Sequence, residues 1–102
     1  MIIMTIENAG KPFEPLGLVR GSMIQSKHAG KDIMAGLKTF VGGELKGYTQ
    51  MLEESREIAM QRMAEQATRL GADAVIGVRF TSSSVMQGAA EVTAYGTAVK
   101  FK

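Results

Sequence analysis

No cysteine and no tryptophan occur among the 102 residues, and there are only two prolines and one histidine. Without cysteine the chain has no disulfide, no thiolate nucleophile and no thiolate metal ligand, and the expected location is the cytoplasm. No run of Lys or Arg appears, and the formal charge is only +2. The electrostatic footprint of a nucleic-acid binder is therefore missing. Long hydrophobic runs are missing too. The opening Met1-Ile2-Ile3-Met4-Thr5-Ile6 stretch is far too short for a membrane span or a signal core, and no basic segment precedes it. Neither nucleic acid nor membrane is an expected partner.

What is present is an ordinary globular composition, 45% hydrophobic and 22% charged, in a length that suits one domain over residues 1–102. Eight methionines stand out. Methionine fills irregular gaps and is common on surfaces that repack, so core and subunit-interface packing is the expected use.

The segment from Tyr48 to Leu70 reads as a long helix. At about 100° per residue, Tyr48, Leu52, Ala59, Met63 and Leu70 share a stripe, which Met51 and Ile58 widen on one side and Met60 and Ala67 on the other. The apolar arc covers roughly 200°, whereas covering one sheet needs little more than about 100°. Met51, Ile58, Met60 and Met63 are therefore candidates for contact with a second copy of the chain.

Around this helix the pattern predicts a short N-terminal strand, a turn at Glu7–Pro12, and a second strand from Pro15 to Met23 with Gly17 and Gly21 open to close approach. Ile33, Met34, Leu37, Phe40 and Val41 have the spacing of a shorter helix, stopped by Gly42-Gly43. The long helix begins between Glu44 and Gln50 and stops at Gly71, with Glu53 and Glu54 near its start and Arg69 near its end matching the macrodipole. Two strands follow, Ala74–Thr81 with Ala74, Ile76, Val78 and Phe80 on one face, and Val92–Phe101 with small residues on one face. A long hairpin loop at Ser82–Ala90 joins them. The expected fold is α+β: a two-layer sandwich in which an antiparallel sheet is covered by one long and one shorter helix.

Several segments together resemble the YbjQ family of bacterial proteins. They are Val41-Gly42-Gly43, then Tyr48, Leu52 and Arg56-Glu57-Ile58-Ala59, then Gly71-Ala72-Asp73-Ala74-Val75-Ile76-Gly77-Val78, and Gly96-Thr97-Ala98-Val99-Lys100. The resemblance runs from about Leu18 to Lys100. It implies a dodecin-like subunit assembling as a homopentamer, with a stacked pair of pentamers (a decamer) also open. It also brings a heavy-metal-binding label, and hence a divalent metal ion as the cofactor to test. The family usually has Asn at His28, Asp at Thr39, Arg at Glu44, Glu at Thr49 and an acidic residue at Arg79. Three of these departures remove carboxylates, which weakens a metal role here.

Candidate chemistry is sparse. His28 and Asp32, four residues apart, make an imidazole–carboxylate pair that holds a divalent ion only if symmetry multiplies the ligands. Arg56 falls inside the apolar arc, where an unpaired guanidinium is costly. An intersubunit partner such as Asp73 or Glu44, or an anionic ligand held with Tyr48 and Asp73, would account for it. Gly42–Gly47 matches no phosphate-loop fingerprint, and Ser82–Ser84 has no nucleophile-elbow context. The expectation is a non-enzymatic cytoplasmic binding or scaffold protein. The alternatives are a metal protein with sites at subunit junctions and an anion-binding enzyme built on Arg56.

Overall fold

The computed structural model describes residues 1–26, 40–41, 44–86 and 89–102. Strands β1 (Ile2–Ile3), β2 (Phe13–Ser26), β5 (Ala74–Met86) and β6 (Ala89–Phe101) form one sheet in the order β1-β5-β6-β2. β5 and β6, and β6 and β2, run antiparallel, but β1 lies parallel to β5, so the sheet is mixed rather than wholly antiparallel. β3 (Phe40–Val41) and β4 (Glu44–Leu45) pair separately. A single helix among the described residues, α1 (Lys46–Arg69), crosses the face of the large sheet, mainly over β2 and β6.

The expected shorter helix is not borne out. Phe40 and Val41, assigned to its buried face, pair instead with Leu45 and Glu44 across the Gly-Gly pair. Its remaining residues, with His28 and Asp32, lie outside the described residues. The spacing that mimicked a helix included Phe40 and Val41, both of which fit a strand equally well.

α1 is 24 residues long and starts at Lys46, inside the expected Glu44–Gln50 window, so Glu53 and Glu54 fall beyond its first turn and no acidic residue occupies that turn. The dipole argument fails for these two glutamates and holds for Arg69 in the last turn. The C-terminus closes as a Schellman motif. Gly71 N–H donates to the Thr68 carbonyl at 3.0 Å and Ala72 N–H to that of Ala67 at 3.1 Å, with Gly71 at φ 81°.

The fully buried side of α1 is Ser55, Ala59, Met63 and Ala67, an i, i+4 row. Such a row drifts about 40° per step around the axis, so the contact winds along the helix as it crosses the sheet. Ser55 is absent from the expected stripe because it is polar. Its hydroxyl donates to the Met51 carbonyl at 2.8 Å, which satisfies it in the core. Val19, Val75, Val78, Val92, Ala94 and Ala98 meet this row from the sheet.

Gly21 is where strand and helix come closest: a Cβ there would overlap the Ala59 carbonyl oxygen and the Met63 amide nitrogen. The other glycine expected at a close approach, Gly17, has nothing within 4 Å and sits instead at a bulge in β2. The opposite face of the sheet buries Ala74, Ile76 and Val99 under Met4, Ala9, Phe13 and Phe101. A second bulge, between Ile76 and Arg79, moves Val78 onto the helix side with Val75. The simple alternation of Ala74, Ile76, Val78 and Phe80 therefore does not survive past Ile76.

Ser82–Ala90 is not a long loop. β5 continues to Met86 and β6 begins at Ala89, with Ser82–Met86 paired along β6. From Arg79 to Met86 every residue of β5 is exposed. The radius of gyration is 16.3 Å and the extents are 51 × 27 × 18 Å. A compact domain of this length would have a radius near about 13 Å.

Candidate functional site

The residues singled out for ligand binding do not converge in one chain. Arg56 lies on α1 and Asp73 beyond its C-terminus, at least about 20 Å away along the axis at 1.5 Å per residue. Tyr48 lies near the other end of α1, two turns before Arg56. Arg56 is exposed and, among the described residues, no hydrogen bond or ion pair holds it. It falls within the apolar arc on a straight wheel, but the buried direction near Ser55 and Ala59 points elsewhere, and Arg56 emerges beside it.

Asp73 has a structural task. Its Oδ2 accepts the Phe101 N–H at 2.8 Å, while its own N–H donates to the Val99 carbonyl at 2.8 Å. The residue thus clamps the end of β6 to the start of β5. Nearby, Lys100 Nζ donates to the Gly71 carbonyl at 3.4 Å, tying the same strand to the helix end. The signal for this task was the Gly71-Ala72-Asp73 turn itself, where a short carboxylate readily bonds nearby backbone.

The four methionine and isoleucine candidates for an interface divide. Met63 is 0% exposed within its own chain and has no surface left to offer a second subunit. Met51, Ile58 and Met60 are half-buried: Met51 continues the row one step before Ser55, while Ile58 and Met60 lie on its two flanks. Met60 also packs against the main core.

Other polar clusters are local. Arg79 donates from Nη1 to the Thr5 carbonyl at 2.8 Å and to the Val78 carbonyl at 2.9 Å. It braces the N-terminal segment against the β5 bulge. A shallow surface depression is lined by Asn8, Gly10, Lys11, Pro12 and Phe13, and Lys11 Nζ sits 4.0 Å from the Phe101 ring centroid. Neither Arg56 nor Asp73 lines it.

Among the described residues no three His, Cys, Asp or Glu side chains group as they must to hold a metal ion. The described part of one chain does not fit a resident metal. The cofactor expectation then rests on His28 and Asp32, outside the described residues. No helix among the described residues is long and apolar enough to cross a membrane.

These features define a small α+β domain with a four-stranded mixed sheet and one described helix. The chain belongs to the YbjQ family: the family's model, described as "Putative heavy-metal-binding", matches residues 1–102. A UPF0145 protein of Clostridium novyi is 62% identical over 92 residues, covering 90% of this chain and 89% of its own length. One from Thermosipho africanus is 58% identical over 104 residues, covering 100% and 96%. One from Fervidobacterium nodosum is 64% identical over 89 residues, covering 87% and 82%. Among solved structures, a protein of unknown function from Pediococcus pentosaceus, placed in the DUF74 family, superposes with a TM-score of 0.74. It is 19% identical and is matched over 98% of its length and 100% of this chain. That likeness establishes the fold.

Proposed function

We propose that this protein is a non-enzymatic, cytoplasmic homo-oligomer acting as a binding or scaffold module, and that its assembly is a homopentamer. The observation that carries this reading is the helix. One row of α1 satisfies its own sheet, yet Met51 and Leu52 toward its N-terminal end and Ile58 and Met60 on its two flanks stay partly exposed. Apolar side chains in that state gain roughly 25 cal/mol per Å² when a second surface removes them from water. The elongated shape supports the same reading, because a long, thin subunit leaves much of its surface to neighbours. The number five comes from the family resemblance, and the cytoplasmic placement from the absence of cysteine.

In this reading any ligand sits where copies meet. Arg56 and Asp73, separate in one chain, come together only across a subunit boundary.

The test is Met60→Lys, examined by native mass spectrometry and thermal unfolding. The expected result is loss of the ring, a fall from the assembled mass to a folded species no larger than a dimer and of lower stability. An assembly of unchanged mass and stability would overturn the helix-flank contact.

A second reading, metal binding at subunit junctions through His28 and Asp32, is favoured by the family description alone. It predicts that one divalent ion raises the melting temperature of the parent protein and not that of His28→Ala.

A further inference from the structure

We infer that the outer edge of β5, centred on Ser82, pairs antiparallel with the same edge of a second copy of this chain about a two-fold axis.

The backbone directions follow from bonds already in the fold. The Arg20 N–H donates to Gln66 Oε1 at 2.7 Å and the Ser22 carbonyl accepts from Arg62 Nη1 at 2.6 Å, so Arg20 and Ser22 of β2 face away from β6. Antiparallel alternation then turns Val19, Gly21 and Met23 toward β6, and their partners Gly96, Ala94 and Val92 toward β2. The intervening β6 residues Tyr95, Thr93 and Glu91 bond in the other direction, to Arg79, Thr81 and Ser83. The Asp73 N–H on the Val99 carbonyl belongs to this same set. What remains is the outer edge of β5, where Phe80, Ser82 and Ser84 each direct an N–H and a carbonyl away from the sheet.

The two edges of the sheet are treated differently. On β2, helix side chains Gln66 and Arg62 take up the Arg20 N–H and the Ser22 carbonyl. On β5, the Ile6 and Met4 carbonyls take the N–H groups of Gly77 and Val78, and among the described residues this cover ends there. Natural proteins protect such edges with charge, proline or a covering element. Phe80–Met86 (Phe-Thr-Ser-Ser-Ser-Val-Met) carries no charge and no proline, and Phe80 is 45% exposed, Val85 48% and Met86 68%.

The segment suits its own copy. About Ser82, Phe80 opposes Ser84 of the other copy and Thr81 opposes Ser83, so the outward groups of both strands meet in register. A charged edge would repel itself across a two-fold axis; this one has no charge to do so. The contact rests on the assembly reading only in that copies associate. It is distinct from the α1 flank and would join two rings into the decamer.

Because the chain lacks cysteine, one introduced thiol reports the geometry. Ser82→Cys meets itself across the axis at a Cα separation near about 5.5 Å, which a disulfide spans. Thr81→Cys opposes Ser83 and does not meet itself. Under diamide at equal protein concentration, Ser82→Cys should give a covalent dimer at least tenfold faster than Thr81→Cys or the helix-surface control Glu53→Cys. Native mass spectrometry of Ser82→Pro, with Ser82→Lys as a second variant, should show half the parent mass with the helix and sheet signal retained. Equal cross-linking at positions 81 and 82, absence of it at 82, or an unchanged mass in both Ser82 variants would overturn the contact. A Met60→Lys protein whose native mass is unchanged and that still cross-links at 82 would show that the helix-flank reading fails while this one stands.

Discussion

Gly21 of β2 and Ala59 of α1 meet backbone to backbone, with no room for a Cβ between the glycine and the Ala59 carbonyl oxygen. The small residues Ala59 and Ala67 on the helix row, and Ala94 and Ala98 on β6, hold the two layers at this short distance.

Gly21→Ala should therefore separate the layers at their closest point. Overpacking against rigid backbone costs about 1–3 kcal/mol, and here the upper end is expected because neither neighbour is a movable side chain. Thermal unfolding should show a drop of roughly 10 °C or more. A change within experimental error would mean that helix and strand separate freely.

Met63→Ala tests the same core from the helix side. Met63 is wholly enclosed by its own chain, so the substitution should cost about 2–5 kcal/mol by denaturant unfolding and leave the assembled mass unchanged under native conditions. Met60→Lys should do the reverse, losing assembly with a smaller loss of subunit stability.

Asp73→Ala removes the acceptor of the Phe101 N–H. About 1 kcal/mol of stability should go with it, together with faster amide exchange at Phe101. Were Asp73 only a ligand-binding residue, exchange at Phe101 would be unaffected.

Arg56→Ala should change the stability of the free protein by no more than about 0.5 kcal/mol, since the side chain is exposed and unpaired among the described residues. If Arg56 meets an anion where copies join, stabilisation by inorganic phosphate in the parent disappears in this variant. A thermal-shift titration of both proteins decides it.

Much of the architecture was legible because it rests on short-range rules. The long helix ends at Gly71 and the small-residue face of β6 is buried, as their spacing implied. Three things escaped for physical reasons. The bulge between Ile76 and Arg79 resets the face of β5, and no alternation pattern anticipates an extra residue. The serines at 82–84 have turn-like composition, yet their register with Val92, Glu91 and Ala90 of β6, bonded through Ser83, holds them extended. Arg56 looked buried because a straight wheel ignores the winding of the contact row. Of the two candidate ligand residues whose side chains are described, Arg56 and Asp73, only Asp73 acquires a defined partner, and that partner is backbone. The pattern could place residues on a helix face but not bring together groups that one chain holds about 20 Å apart.

The central claim is that the chain assembles with itself through surfaces its own fold leaves open. Native mass spectrometry of the untagged protein, purified without chelator, tests it most directly. The account predicts a mass five times that of the subunit, or ten times where the β5 edges also pair. A monomer across the micromolar range would contradict it, and the flanks of α1 and the edge of β5 would then be ordinary solvent-exposed surface.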